Sequence, residues 1–176
     1  MNLQKFFDEE PRSKPFDNLS IKEAQDYLEW LVGNRDTFIT SLSRKVGFEV
    51  NSSSENFTDI SAWIVDNRNS NSYREFIFET AVLFAERLIN NVTEDLEWAF
   101  ISSPPSDMFV NQPLIRAVND HTNKCAVLEV VFNTCHQIKS KQVGIYELTN
   151  AYQLWKKIFQ EGSTSIIADI FKDLDL

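Results

Sequence analysis

The chain has 176 residues, 43% of them apolar and 24% charged, with formal net charge −9, two cysteines and no apolar run near the roughly 18 residues needed to cross a bilayer. This composition excludes a disordered chain, a disulfide scaffold and a helical membrane protein, and it is enough for one domain with an ordinary core. Residues 1–103 carry 18 acids against 10 bases, whereas residues 104–176 carry 8 against 7, which disfavours a phosphate backbone as a partner and is compatible either with a basic protein partner or with simple solubility.

In chain order, residues 1–18 hold acids where a secretion signal has a basic region and an apolar stretch, which gives the expectation of a cytoplasmic protein with a loosely packed N-terminal arm. Ser20 and Glu23 then form a capping box, with Ile21, Ala24, Leu28 and Leu31 at helical spacing and Gly33-Asn34 as the stop. Trp30 falls outside that arc among acidic neighbours. It reads either as an interface anchor or as a ring that a later element covers. A second helix is expected with Asp36 as cap, Phe38, Ile39, Leu42 and Val46 as its stripe, and Gly47 as its end. After the loop 51–56, "FTDISAWIVDN" predicts a short helix starting near Thr58 or Asp59.

Ser72 and Glu75 suggest another capping box for a helix reaching about Val92. On its wheel Ile77, Ala81, Phe84, Ala85 and Leu88 share one face, and Phe76 and Leu83 lie almost opposite. Glu75, Glu79, Glu86 and Asn90 form the narrow polar strip between them. A helix apolar on two sides is expected at the centre of a fold, and the alternative is an exposed Phe76/Leu83 contact patch. Glu79 and Glu86 invite a paired-carboxylate reading, but one heptad separates them by about 10.5 Å along the axis.

"LEWAFISSPP" predicts a strand, and "MFVNQPLIRAV" one or two more, with Pro113 at an edge or break. Just before them Glu94, Asp95 and Glu97 gather at a helix-to-strand turn, as a solvated loop or as contacts to a basic partner. "GIYELTNAYQLWKKIFQEG" is helical, with Leu148, Tyr152, Trp155 and Phe159 on one stripe, and a last short helix is expected after Gly162. The expected class is α+β, mostly α. It has a helical N-terminal half, a small antiparallel sheet near 96–118 and a helical C-terminal part, all in one domain over 1–176.

Both cysteines and both histidines lie within residues 121–136. If 125–139 is a helix, Cys135 sits inside the apolar arc of Val127, Leu128, Val131, Phe132 and Ile138. Cys125 and Cys135 are then about 15 Å apart along the axis. In a strand they would be about 33 Å apart. Neither geometry lets the thiolates share a zinc ion, whose ligands lie at about 2.0–2.3 Å. Thr122 or Asn123 would cap that helix, although the β-branched residues also permit a strand. The expectation is therefore no metal, no cofactor and no catalytic residue. The glycines are isolated, so phosphate-cradling loops are excluded.

The order of "FETAVLFAERLINN", "LEWAF", "QPLI" and "AYQLWKKI" resembles small bacterial proteins found among the immunity proteins of polymorphic toxin systems, over about half the chain. That resemblance implies an acidic, cytoplasmic, non-catalytic protein that covers a toxin, and it carries over no binding residue. The expected function is thus a non-catalytic acidic protein-binding domain, with Trp30, Glu94, Asp95 and Glu97 as partner-binding residues and neither nucleic acid nor membrane as partner. The alternatives are an enzyme or small-molecule binder with a pocket built from sequence-distant residues, and a structural subunit exposing Phe76 and Leu83.

Overall fold

The computed structural model describes residues 16, 19–51, 54–67, 70, 72–93, 95–102, 110–119 and 122–162. The expected N-terminal arm, apart from Phe16, and the expected last helix lie outside the described residues. Six helices and three strands are present among the rest: α1 (Ile21–Gly33), α2 (Arg35–Val46), α3 (Thr58–Asp66), α4 (Tyr73–Asn91), β1 (Leu96–Ala99), β2 (Leu114–Ala117), β3 (Lys124–Cys125), α5 (Val127–Lys139) and α6 (Glu147–Glu161). The class is α+β, mostly α, as the sequence predicts. No helix among the described residues is long and apolar enough to cross a membrane.

Helix α4 is the hub. Thirteen of its 19 residues are buried, which only a helix covered on two sides can achieve. Helices α2 and α5 cover most of it, and α6 and β1 complete the casing. Phe76 and Leu83 are fully buried, so the exposed patch considered for them is absent; Trp63 of α3 stacks on Phe76 with centroids 3.9 Å apart. Of the narrow polar strip, Glu75 and Asn90 stay exposed and Glu86 is half-buried, but Glu79 is drawn inward. Glu79 is 1% exposed because α2 lays Lys45 over it, with Nζ 2.7 Å from Oε1.

The sheet has the order β1-β2-β3 and is antiparallel throughout. Leu96 pairs with Ala117 and Ala99 with Leu114. Pro113 immediately precedes β2, where its missing N–H costs no ladder bond. Strand β3 is only two residues long, too short to leave a periodic signal.

Local capping chemistry explains both the agreements and the differences. The Ser20–Glu23 capping box is closed reciprocally, and Gly47 ends α2 at φ 80°, the left-handed conformation that favours glycine. Ile21, expected in the buried stripe of α1, is 57% exposed; Ala24, Tyr27 and Leu31 are the buried set. Asp36 does not cap α2, because that helix starts at Arg35 directly from Asn34, the residue that ends α1. Ser72 precedes α4, but its hydroxyl pairs with that of Ser70 at 2.8 Å and forms no box with Glu75. Helix α5 begins after Ala126 rather than at Thr122 or Asn123, because Lys124 and Cys125 are paired with β2.

Candidate functional site

The four residues nominated from sequence occupy different settings. The ring of Trp30 is half-buried at the border of α1. Phe38 of α2 and Phe78 of α4 lie 5.3 and 6.4 Å from it, and Tyr27 5.7 Å. Phe38 and Phe78 thus cover part of the ring and leave the rest of it in solvent. Glu94 lies outside the described residues. Asp95 is exposed, and its carbonyl accepts a 2.8 Å bond from the Val118 amide, which extends the β1/β2 ladder by one step. Glu97 is half-buried and accepts from Arg116 directly across the ladder, Nη2 at 2.8 Å and Nε at 2.9 Å. An opposite-charge pair facing across two strands stabilises the register.

Strand alternation separates Glu97 from its neighbour Trp98. The Trp98 indole N–H donates to Oε1 of Glu86 at 2.9 Å, and Oε2 of Glu86 meets Arg35 Nε at 3.7 Å. This chain ties the sheet to α4 and α2. Glu79 and Glu86, paired on the sequence wheel, thus serve different partners. Helix α1 packs against β1, so Trp30 and the 95–97 segment belong to neighbouring elements. No hydrogen bond, ion pair or ring contact joins them among the described residues.

The outer face of α1 is the strongest electrostatic feature beside Trp30. Glu23, Asp26 and Glu29 are exposed at three-residue spacing, and Lys22 is the only base of the helix. Glu23 serves the capping box, and the Ser20 hydroxyl and amide hold its carboxyl below the usual range. Glu29 accepts from Gln25 at 2.9 Å. None of the three forms an ion pair with a described residue. Asp36, at the start of α2, adds a fourth exposed carboxylate. The sequence reading saw acids around Trp30 but placed its nominated carboxylates at 94–97.

The cysteines and histidines do not assemble. Cys125 lies on β3 and Cys135 on α5; both are fully buried free thiols, and burial pushes their pKa values up, so neither is a ready nucleophile. His136 is exposed beside Phe132, with the ring planes 11° apart, and His121 lies outside the described residues. No group of three or more His, Cys, Asp or Glu side chains able to hold a metal exists among the described residues.

Sequence reasoning passed over Arg87 of α4. It is 3% exposed and falls on the Phe76/Leu83 side of the wheel, a charge inside an apolar face, and that placement was the available signal. Its Nε donates to the Asn51 carbonyl and its Nη1 to the Asn56 carbonyl, each at 2.9 Å, and the guanidinium carbon sits 4.2 Å above the centre of the Phe57 ring. The residue borders a cavity of about 270 Å³.

No family model, curated protein or solved structure matches the chain.

Proposed function

We propose that this protein is a non-catalytic acidic binding domain whose partner is a basic protein, in the manner of an immunity protein that neutralises a toxin or effector. The observation that carries this reading is the outer face of α1. Glu23, Asp26 and Glu29 stand exposed on a convex helix without ion pairs to described residues, and Trp30 borders them half-buried. Carboxylates that meet no described cation keep their charge available for a complementary surface, and such fields steer encounter and exclude wrong partners. The partly exposed Trp30 edge offers apolar area at the margin of that charge, the mixture found around interface anchors. Asp95 extends the same acidic character next to β1. The wider reading, in which Glu94 and Glu97 also contact the partner, requires Glu97 to exchange Arg116 for a partner's base. The structural-subunit alternative loses its expected surface, since Phe76 and Leu83 are buried.

The test is capture of the partner from the source cell by cross-linking and mass spectrometry, with wild type and a Glu23→Lys/Asp26→Lys/Glu29→Lys variant. Wild type is expected to capture a basic protein with cross-links near α1, and the variant to lose that capture while staying folded, its melting temperature lowered by loss of the Ser20–Glu23 capping box. Capture unaffected by the three reversals would overturn the assignment.

A further inference from the structure

We infer that α1 carries, beside its acidic face, an apolar seam that docks one amphipathic helix with basic flanks. The inference rests on the reading of the acidic face and names the form that its partner takes there.

The argument starts from spacing. Ile21, Gln25, Leu28 and Val32 follow one another at intervals of four, three and four residues. At about 100° per residue they share an arc of about 60°, and the line they draw is about 16 Å long. Alternating intervals of four and three are those of the seam between two packed helices. The fold leaves this seam outside. Ala24, Tyr27 and Leu31 turn inward and are buried, whereas Ile21 is 57% exposed and Leu28 and Val32 are half-buried. Of the three apolar side chains only Val32 packs against the hydrophobic core. Gln25 donates to Glu29 at 2.9 Å, and a polar residue held within such a seam is the device that fixes register between paired helices.

Charge then selects the occupant. On the wheel Glu29 and Asp26 follow the seam on its solvent side, and neither forms an ion pair with a described residue. Lys22 is the only base of the helix. A second copy of α1 laid along the seam would set these carboxylates against their own kind, and the net charge of −9 adds to the repulsion. A helix with Lys or Arg beside its apolar stripe meets them with opposite charge. An extended strand is disfavoured, because its side chains repeat every two residues and match neither interval.

The experiment is an amide NMR titration of the full chain with three synthetic peptides of about 18 residues, about 27 Å as helices. The first is built of leucine and lysine with leucines at four-three spacing. The second has the same composition in scrambled order. The third has the helical spacing with glutamate for lysine. The first is expected to give saturable shifts centred on Ile21, Leu28 and Val32. It should bind at least about tenfold more tightly than the second, whose leucines cannot all reach the seam, and than the third, which brings like charge. Ile21→Gln/Leu28→Gln should weaken it at least about fivefold by removing apolar contact, with amide positions elsewhere unchanged.

Asp26→Lys/Glu29→Lys separates this proposal from the reading beneath it. If that variant weakens both lysine peptides alike and spacing makes no difference, the seam is overturned and the acidic reading stands. If spacing matters and the charge reversal changes nothing, the basic flank is overturned and the acidic reading loses support. Absence of saturable shifts along α1 would overturn the seam outright. So would a dimer of the full chain that Ile21→Gln/Leu28→Gln abolishes, since the occupant would then be a second copy.

Discussion

Helix α4 buries two charges eight residues apart, and the fold treats them in opposite ways. Glu79 is met by Lys45 of α2 at 2.7 Å, and Lys45 also reaches the exposed Glu75 at 2.8 Å. Arg87 is met by carbonyls of the loop before α3 and by the Phe57 ring. The first arrangement is a closed pair that locks α2 to α4 and leaves one buried carboxylate oxygen, Oε2, without a hydrogen bond among the described residues. The second pins the Asn51 and Asn56 carbonyls beside a cavity that Glu49 and Asp59 also line. Opposite-charge pairing at one end and dipole solvation at the other mean that loss of a partner should leave different residues of charge behind.

The largest expected effect is at the paired end. Lys45→Met strips Glu79 of its counter-ion in a buried site and should cost about 3–5 kcal/mol in denaturant unfolding. The pH dependence fixes the cause. Burial already raises the Glu79 pKa against the opposing pull of Lys45. A carboxyl raised in the folded state binds its proton more tightly there than in the unfolded chain. Its favourable contribution is therefore complete below the ordinary carboxylate value and is lost as pH rises through the folded one. Without Lys45 the folded value moves higher still, so acidification from pH 7 toward 5 should recover part of the Lys45→Met loss. Glu79→Gln in the same background should remove that recovery.

A smaller effect is expected at the carbonyl-braced end. Arg87→Lys keeps the charge and loses the planar fork that serves Asn51 and Asn56 together. The loss should be about 1–3 kcal/mol, the range for a hydrogen bond to a charged group, with little change between pH 5 and 7 because no described carboxylate pairs with it. A pH response as large as that of Lys45→Met would mean that the two ends are not different in kind.

What was legible in the sequence was whatever is decided within a few residues. The Ser20–Glu23 box and the Gly47 stop depend on contacts at i, i+3 and on one backbone angle, and both stand in the structure. The double-sided apolar wheel of α4 was also local, and it placed the hub correctly. The remainder depends on partners far along the chain. Lys45 and Glu79 are 34 residues apart, and Arg87 reaches back 36 and 31 residues to its carbonyls. No periodicity records such pairs. Trp30 reads as exposed on its own helix until Phe38 and Phe78 arrive from two others. The Glu97–Arg116 pair needs the strand register, which only the folded sheet supplies.

The central claim is that recognition runs through the exposed carboxylates on the face of α1, which form no ion pair with a described residue. Its most direct test is the association rate of the captured partner, measured by stopped flow from about 0.05 to 0.5 M salt, where the screening length falls from above to below 10 Å. The predicted result is a wild-type rate that drops by about tenfold or more across that range, beside a slow and nearly salt-independent rate for the Glu23/Asp26/Glu29 reversal variant. Equal rates in the two proteins, flat with salt, would contradict it.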